Sequence, residues 1–374
     1  MSKTPYFLLG RILLNFEARA SDIIGDISAA AFSPDGSLWL GSDEMLGVER
    51  LSPISDRSYG EHERFLLKDF VELFNTDDEI DIEGMDYSDG YLWLTGSHST
   101  KRKKVKGKTD AKDLKRLATV TTDLNRFILA RIPVINGKLV KSCSPVEGKQ
   151  LTAACLETTN TRASSSRSLL ETNKTALPRN ILFELLKEDL HLKPFIDAGI
   201  PSKDNGLDIE GLVVRGDKLF LGLRGPVLRG WAIILELELE LSEPGILSFK
   251  EIGEDGAKYK KHFFDLDGLG VRELCIRGDD MIILAGPTMD LNGEMQIFCW
   301  QDALDNLDDL IHSQDNGDLE ALFDLPFIIG SDRAEGLALY SYLEDNDSLM
   351  VFYDSPDEQR LRKDKQIFVD IFRL

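Results

Sequence analysis

Four short stretches of the sequence place a glutamate among apolar residues, where a buried strand would carry Val or Ile. The stretches are "DIEGM", "DIEGL", "VRELC" and "RAEGL", and their glutamates are Glu83, Glu210, Glu273 and Glu335. Carboxylates that converge on a concave surface beside basic side chains are suited to bind a polar ligand or a metal ion. We therefore expect these glutamates to form a ligand-binding ring around a common axis.

Further polar residues stand just before these strands or just after the strands that follow them. The candidates for ligand binding in these positions are Asp81, Asp208, Arg333, Lys203, Ser97, His98, Arg224 and Arg229. Arg224 and Arg229 flank a Gly-Pro turn, and two planar guanidinium groups held in this way can clamp a carboxylate or a phosphate. The alternative is a structural role for these residues. The arginines would then form salt bridges to the glutamates, and His98 would be a buried side chain.

A ring of glutamates raises a problem of like-charge repulsion. Protonation, compensation by Arg224 and Arg333, or a bound cation would each relieve it. Carboxylate oxygens suit Ca²⁺ or Mg²⁺, whereas His and Cys are too few for a zinc site. The metal ligands expected in that case are Glu83 and Glu210. The alternative is that each glutamate accepts hydrogen bonds from a neighbouring backbone and only holds the ring together.

The glutamate stretches belong to a repeated pattern of two strands joined by a turn. Five copies are recognisable, with first strands that begin near Asp26, Asp81, Asp208, Val271 and Ala334. A third and a fourth strand follow in most copies, which gives units of roughly 55 to 65 residues. Four-stranded units repeated around an axis predict an all-β fold, a single β-propeller over residues 1–374. The N-terminal segment "GRILLNFEARASDIIG" is expected to supply the missing strand of the last blade.

One interval in the repeat is about twice as long as the others. Glu83 and Glu210 are 127 residues apart, so the segment between them holds either a sixth blade or insertions, and five blades with insertions are favoured. Residues 99–126 are rich in lysine and lack an apolar period, which predicts a solvated basic loop. Residues 157–191 are polar at first and then show an amphipathic helical pattern, which predicts a helical insertion packed against the propeller.

The composition excludes several classes of function. The net charge is −21, from 65 acidic and 44 basic residues, and such a chain repels nucleic acid. Long apolar runs are absent, so we expect no membrane association. The four cysteines show no metal-ligand spacing, and no signal peptide is visible, so a cytoplasmic location is expected.

The blocks "GLDIEGL" with "LFLGLRGPVLRGWA" and "DIEGM" with "LWLTGSHSTKRKK" resemble a bacterial β-propeller family catalogued as a domain of unknown function. More distantly, the chain is similar to the esterase-like phytase and SdiA-regulated propellers, some of which hold calcium near the axis. This distant similarity concerns the fold and implies no activity, because the phosphate-handling residues of those hydrolases have no counterparts here one by one.

These observations predict binding of a small polar or anionic ligand at the channel rim, with or without a divalent cation such as Ca²⁺ or Mg²⁺. Metal-assisted hydrolysis of a phosphoester or an ester is one alternative, and a scaffold that binds another protein is a second. The sequence contains no GxSxG, HExxH, P-loop or GxGxxG motif, so catalytic motifs do not decide whether the chain is an enzyme.

Overall fold

The computed structural model describes residues 7–17, 23–76, 78–146, 148–159, 179–253, 255–304, 310–326, 328–342 and 345–374. Within these residues the chain is built almost entirely of strands, with three short α-helices. The helices are α1 (Asp110–Leu117), α2 (Ile181–Leu186) and α3 (Lys193–Asp197). No helix in the described part of the chain is long and apolar enough to cross a membrane.

The described residues of the first half of the chain form fourteen strands. They are β1 (Leu8–Asn15), β2 (Ile27–Phe32), β3 (Leu38–Ser42), β4 (Gly47–Ser55), β5 (Ser58–Leu66), β6 (Ile82–Ser88), β7 (Tyr91–Gly96), β8 (Lys101–Arg102), β9 (Val120–Thr121), β10 (Leu129–Ile135), β11 (Lys138–Leu139), β12 (Ser142–Val146), β13 (Lys149–Thr152) and β14 (Ala154–Leu156).

The second half contains thirteen strands. They are β15 (Asp208–Arg215), β16 (Lys218–Leu228), β17 (Trp231–Glu243), β18 (Ile246–Phe249), β19 (Tyr259–Asp265), β20 (Gly270–Arg277), β21 (Asp280–Gly286), β22 (Gln296–Trp300), β23 (Ile311–His312), β24 (Leu319–Asp324), β25 (Arg333–Tyr342), β26 (Asp345–Asp354) and β27 (Gln366–Arg373).

The repeated stretches form the innermost strands of the fold. Each pairs in antiparallel fashion with the strand that follows it, as β2–β3, β6–β7, β15–β16, β20–β21 and β25–β26. The first strands of these hairpins also contact one another in a closed circle, in the order β2, β6, β15, β20, β25 and back to β2. The predicted all-β propeller is confirmed, and its axis runs through this circle of strands.

The N-terminal strand closes the ring. In β1, Ile12 is opposite Val369 of β27, and β27 in turn pairs with β26. Leu13 of β1 also lies opposite Ser58 of β5 in a parallel pair, so the first and last units share one eight-stranded sheet. The predicted closure by the N-terminal segment is therefore confirmed. The eight-stranded and eleven-stranded sheets each join more than one unit, whereas β20, β21, β22 and β24 form a four-stranded sheet of their own. The count of five blades stays a prediction.

Glycine in the repeat allows the inner strands to approach closely. A Cβ atom on Gly84 would lie 2.8 Å from Cβ of Leu212, and one on Gly211 would lie 2.8 Å from Cγ of Leu274. Both contacts join neighbouring inner strands, so any side chain at these positions would push the sheets apart. The glycine that follows the repeated glutamate is thus a packing requirement of the propeller.

The two insertions between β7 and β15 differ in how they pack. In the basic one, residues 101–102 and 120–121 form a short ribbon that precedes and follows α1, so the prediction of an unstructured loop is wrong for these residues. Acidic residues in the first turn of α1 and basic residues in its last turn suit the helix dipole. Helix α1 buries no residue, whereas α2 buries Ile181, Leu182 and Leu186. Residues 160–178, part of the predicted polar insertion, lie outside the described residues.

Candidate functional site at the channel mouth

A β-bulge in each inner strand sets which side chains form the ring around the axis. The strand registers shift at Ser28, Glu83, Glu210, Arg272 and Glu335, which are the unpaired residues of the five bulges. A bulge re-aims the side chain of its extra residue. We call these five residues the axial ring. The ring therefore combines three glutamates with one arginine and one serine, and the hydroxyl of Ser28 donates to the carbonyl oxygen of Ile82 in the neighbouring inner strand.

The predicted place of Glu273 in the ring is wrong, because the bulge in β20 falls one residue earlier. Glu273 occupies the position that Gly211 has in β15, and Arg272 occupies that of Glu210. The fully buried carboxylate of Glu273 accepts hydrogen bonds from the backbone N–H groups of Leu212 at 3.2 Å and Leu274 at 2.9 Å. Glu273 thus ties β20 to β15, which is the structural role that the sequence left open for all four glutamates.

Three members of the axial ring, Glu210, Arg272 and Glu335, belong to a row of alternating charges. The row also includes Asp208 at the start of β15 and Arg224 in β16. Arg224 contacts Asp208 and lies 2.7 Å from Oε1 of Glu210, while Arg272 lies 3.0 Å from Oε2 of Glu210 and contacts Glu335. We call these five residues the paired wall. Burial raises the pKa of Glu210 to about 7 even though both arginines lower it. The carboxylates of Asp208 and Glu210 raise the pKa of Arg224 against the effect of burial, so this guanidinium stays charged.

Asp81 has its own arginine partner, which the sequence did not reveal. Nη2 of Arg126 lies 2.5 Å from Oδ1 of Asp81, and Nη1 donates to the hydroxyl groups of Ser97 and Ser99. Asp81 and Ser97 are almost fully buried, so both act inside the structure and hold the end of the basic insertion against the propeller. Arg126 is the last residue of a segment predicted to be a solvated loop, and no local pattern distinguishes it from the other basic residues of that segment.

A second group of carboxyl groups near the axial ring lacks cationic partners among the described residues. Among the described residues, Asp26, Asp43, Glu83 and Asp354 have no Lys or Arg nitrogen within 4.0 Å, and we call these four residues the acidic wall. Burial, together with the charges of Asp81 and Glu210, raises the pKa of Glu83 well above its ordinary value. Burial and the charges of Asp81 and Glu335 raise the pKa of Asp43 to about 8.

The other two members of the acidic wall are shifted in the same direction. Burial and the charges of Glu44 and Asp354 raise the pKa of Asp26 to about 6. Burial and the charge of Glu335 raise the pKa of Asp354, although Lys203 and Arg333 act against them. At neutral pH Asp43 is therefore mostly protonated and Asp26 mostly ionised, so the acidic wall presents a hydroxyl donor in addition to carboxylate acceptors.

A pocket opens beside the paired wall at the same end of the channel. Its charged lining includes Lys203, Arg224, Arg272, Arg333, Asp290 and Glu335, and we call it the mouth pocket. Arg333 is 31% exposed and lies 3.0 Å from Asp290, whose pKa is kept low by Lys203 and Arg333 against the effect of burial. Lys203 is exposed and has no ion pair within 4.0 Å among the described residues.

Of the predicted ligand-binding residues, Lys203, Arg224, Arg333 and Glu335 line the mouth pocket, whereas His98 and Arg229 belong neither to its lining nor to the axial ring. His98 is fully buried, and both of its ring nitrogens have partners. Nδ1 lies 2.8 Å from the carbonyl oxygen of Gly96, and Nε2 lies 2.6 Å from the side-chain amide of Asn180. Burial lowers the pKa of His98 to about 4, so it is a neutral packing residue. Arg229 lies in the exposed turn between β16 and β17, beyond the bulge that separates it from Arg224. The other predicted residues lie in the ring or beside it.

The described residues do not fit a cation held by Glu83 and Glu210. Both carboxylate oxygens of Glu210 face guanidinium groups, and no group of three or more His, Cys, Asp or Glu side chains in the described ranges is arranged to hold a metal ion. The prediction of Ca²⁺ or Mg²⁺ stays a prediction.

Several solved structures are similar to the chain at low sequence identity. Virginiamycin B lyase from Staphylococcus aureus has 11% identity and a TM-score of 0.33, with 98% of this chain and 99% of that chain covered. The aldose sugar dehydrogenase from Streptomyces coelicolor, in its PQQ-bound form, has 11% identity and a TM-score of 0.38, with 98% and 97% covered. At these scores the similarities carry no argument about function, and the expected distant similarity to phytase and SdiA-regulated propellers stays a prediction.

No curated protein matches the sequence. Residues 26–370 match the family described as "Protein of unknown function (DUF3616)", and this segment runs from the start of the first inner strand into β27. The expected membership of a propeller family without a known function is thereby confirmed. The chain belongs to the DUF3616 family.

Proposed function

We propose that the chain binds a small anionic ligand in the mouth pocket. The observation that carries the proposal is Lys203, an exposed cation that has no ion pair among the described residues and stands at a pocket also lined by Arg224, Arg272 and Arg333. An ammonium group beside guanidinium groups is a ready partner for a carboxylate or a phosphate. Arg224 and Arg272 are buried and paired within the paired wall, whereas Lys203 and Arg333 are more exposed, so Lys203 and Arg333 are the cations that a ligand contacts first.

The acidic wall fits this proposal because of its protonation. Four ionised carboxylates at the mouth would repel an anion, but Asp43, with a pKa of about 8, is mostly protonated at neutral pH. A protonated carboxyl group donates a hydrogen bond, so the acidic wall can bind hydroxyl or carbonyl oxygens of the ligand. The cations of the mouth pocket would then bind the anionic group of the ligand, and the acidic wall would bind its hydroxyl or carbonyl oxygens.

An enzymatic role is a second candidate, and one observation favours it. A carboxyl group with a pKa of about 8 at a ligand site holds the proton that a general acid delivers to a leaving group. Hydrolysis of an ester or a phosphoester would use Asp43 in this way, with the mouth pocket holding the anionic part of the substrate. The scaffold alternative has no feature of its own among the described contacts.

Titration with inorganic phosphate and with acetate, followed by ligand-observed NMR, tests the binding proposal. We expect both anions to bind in the millimolar range and the variant Lys203→Gln to weaken binding by roughly ten-fold, because it removes a charge-assisted hydrogen bond. Lys68→Gln is the matched control, since Lys68 is an exposed lysine on the turn after β5 and far from the pocket lining. Equal binding by wild type and Lys203→Gln would contradict the proposal.

A further inference from the structure

The outer edge of the mouth pocket is apolar and exposed to solvent. Met289, Leu291 and Ile328 line the pocket and are 47%, 58% and 41% exposed. Pro287 and Pro326 complete this edge, which we call the apolar lip. Single exposed apolar residues are common on protein surfaces, but a group of them around a charged pocket marks a surface that contacts another molecule.

Contacts from neighbouring parts of the propeller hold the apolar lip in place. Asp204 and Met289 form a backbone bridge, which ties the lip to the segment that carries Lys203. On the other side, the backbone N–H of Gly330 donates to Oδ1 of Asn292 at 3.2 Å. The lip and the cationic lining are therefore parts of one arrangement, and a ligand can contact both without a rearrangement of the loops.

The size of the pocket limits the part of the ligand that enters it. Only about 30 Å³ of the pocket admits a water-sized group, whereas the empty volume that includes open solvent at the mouth is about 530 Å³. A space this small suits a planar carboxylate better than the bulkier tetrahedral group of a phosphate monoester. The rest of the ligand must lie in the open part, against the apolar lip.

We propose that the ligand is an amphiphilic carboxylic acid, with its carboxylate at Lys203 and Arg333 and its apolar part on Met289, Leu291 and Ile328. This inference rests on the proposed anion-binding function and adds the chemical class of the ligand. The charge fixes the orientation of the molecule. Burial of its apolar part against the lip supplies affinity that a bare anion lacks.

A series of straight-chain acids tests the inference by ligand-observed NMR. Acetate, butyrate, hexanoate and octanoate carry the same head group with increasing apolar length, and we expect affinity to rise about two- to four-fold for each added methylene that reaches the lip. Hexylamine and monohexyl phosphate test the head group at constant length. We expect hexanoate to bind at least ten-fold more tightly than hexylamine, and more tightly than monohexyl phosphate.

Variants of the apolar lip separate this inference from the proposed function. Leu291→Asn and Met289→Gln should flatten the dependence of affinity on chain length, and both residues are exposed, so the fold is expected to survive. Leu190→Asn is the control, because Leu190 is 83% exposed and is not part of the pocket lining.

Each outcome of this series is decisive. If acetate binding depends on Lys203 and octanoate binds with equal affinity, the inference of an amphiphilic ligand is overturned and the proposed anion-binding function stands. Tighter binding of monohexyl phosphate than of hexanoate would overturn the carboxylate head group. The absence of any Lys203-dependent binding would overturn the proposed function as well.

Discussion

The paired wall and the acidic wall contain the same repeated glutamate in two different electrostatic environments. Glu210 has a guanidinium group on each of its oxygens, whereas Glu83, on the neighbouring inner strand, has no cationic partner among the described residues. The difference arises because Arg224 and Arg272 both reach the same side of the axis. The repeat thus builds equivalent positions, and the few residues that break it decide which carboxylates stabilise the ring and which remain available to a ligand.

The largest effect is expected when the paired wall loses its arginine. Arg224→Met leaves the buried carboxylates of Asp208 and Glu210 without their shared partner, and the free energy of unfolding should fall by about 3 to 5 kcal/mol. Urea denaturation measures this loss. Arg229→Met is the control, because Arg229 is exposed and should change stability by less than about 0.5 kcal/mol. Similar unfolding of the two variants would show that the paired wall does not stabilise the ring.

A matched pair of substitutions compares the two walls directly. Glu210→Gln replaces a carboxylate that serves two arginines and should cost about 1 to 3 kcal/mol, because the guanidinium groups lose a charged acceptor. Glu83→Gln removes a carboxyl group that burial and its acidic neighbours already disfavour in ionised form, so it should be neutral or slightly stabilising at pH 7. A larger loss for Glu83→Gln than for Glu210→Gln in the same denaturation assay would reverse the assignment of the walls.

The acidic wall should make stability depend on pH. The pKa of Asp43 is raised to about 8 in the folded chain from an ordinary value of 3.8, because of burial and the nearby carboxylates Asp81 and Glu335. The folded state keeps this proton where the unfolded chain has lost it. The contribution is therefore complete below about pH 4 and is lost as the pH rises toward 8.

Asp43→Asn removes this titration. Between pH 5 and pH 9 the free energy of unfolding should fall less in the variant than in wild type, by up to about 4 kcal/mol. Denaturation at several pH values measures the difference, with the exposed Asp255→Asn as control. Identical pH dependence in wild type and Asp43→Asn would mean that Asp43 is ionised and solvated in the folded protein.

The smallest effect concerns the basic insertion. Helix α1 buries no residue, so replacement of residues 103–118 by a short Gly/Ser linker should leave the melting temperature within a few degrees. Lys104 lowers the pKa of Asp26, and its removal should raise that pKa further above about 6. Calorimetry and carboxyl ¹³C NMR measure the two quantities. A large loss of stability would show that the insertion is an integral part of the propeller.

Local patterns in the sequence predict the fold well. Alternating apolar residues and turn residues identify the hairpins, and the need for a partner strand in the last unit identifies β1, since each signal lies within a few residues. The position of Glu273 was wrong because a bulge shifts register by one residue without changing the apolar pattern much. A comparison of Ile209 and Leu212 with Val271 and Leu274 aligns Arg272 with Glu210, and this signal was present in the sequence.

The partners of the charged residues were not predictable in the same way. Arg126 meets Asp81 across 45 residues and Arg272 meets Glu335 across 63 residues, and such contacts depend on how the sheets are placed around the axis. The mouth pocket combines loops from three separate repeats for the same reason. Its cations include Lys203 and Arg333, which are recognisable in the sequence as polar residues that precede inner strands, but its apolar lip follows from no repeated pattern.

The proposed binding mode can be seen directly in a crystal of the wild-type protein soaked with 4-bromobenzoate, because bromine can be located by its anomalous scattering. We expect a bromine peak against Met289, Leu291 and Ile328, with the carboxylate beside Lys203 and Arg333. The same soak of a Lys203→Gln crystal should lose the peak. A bromine peak elsewhere on the molecule, or an unchanged peak in the Lys203→Gln crystal, would contradict this binding mode.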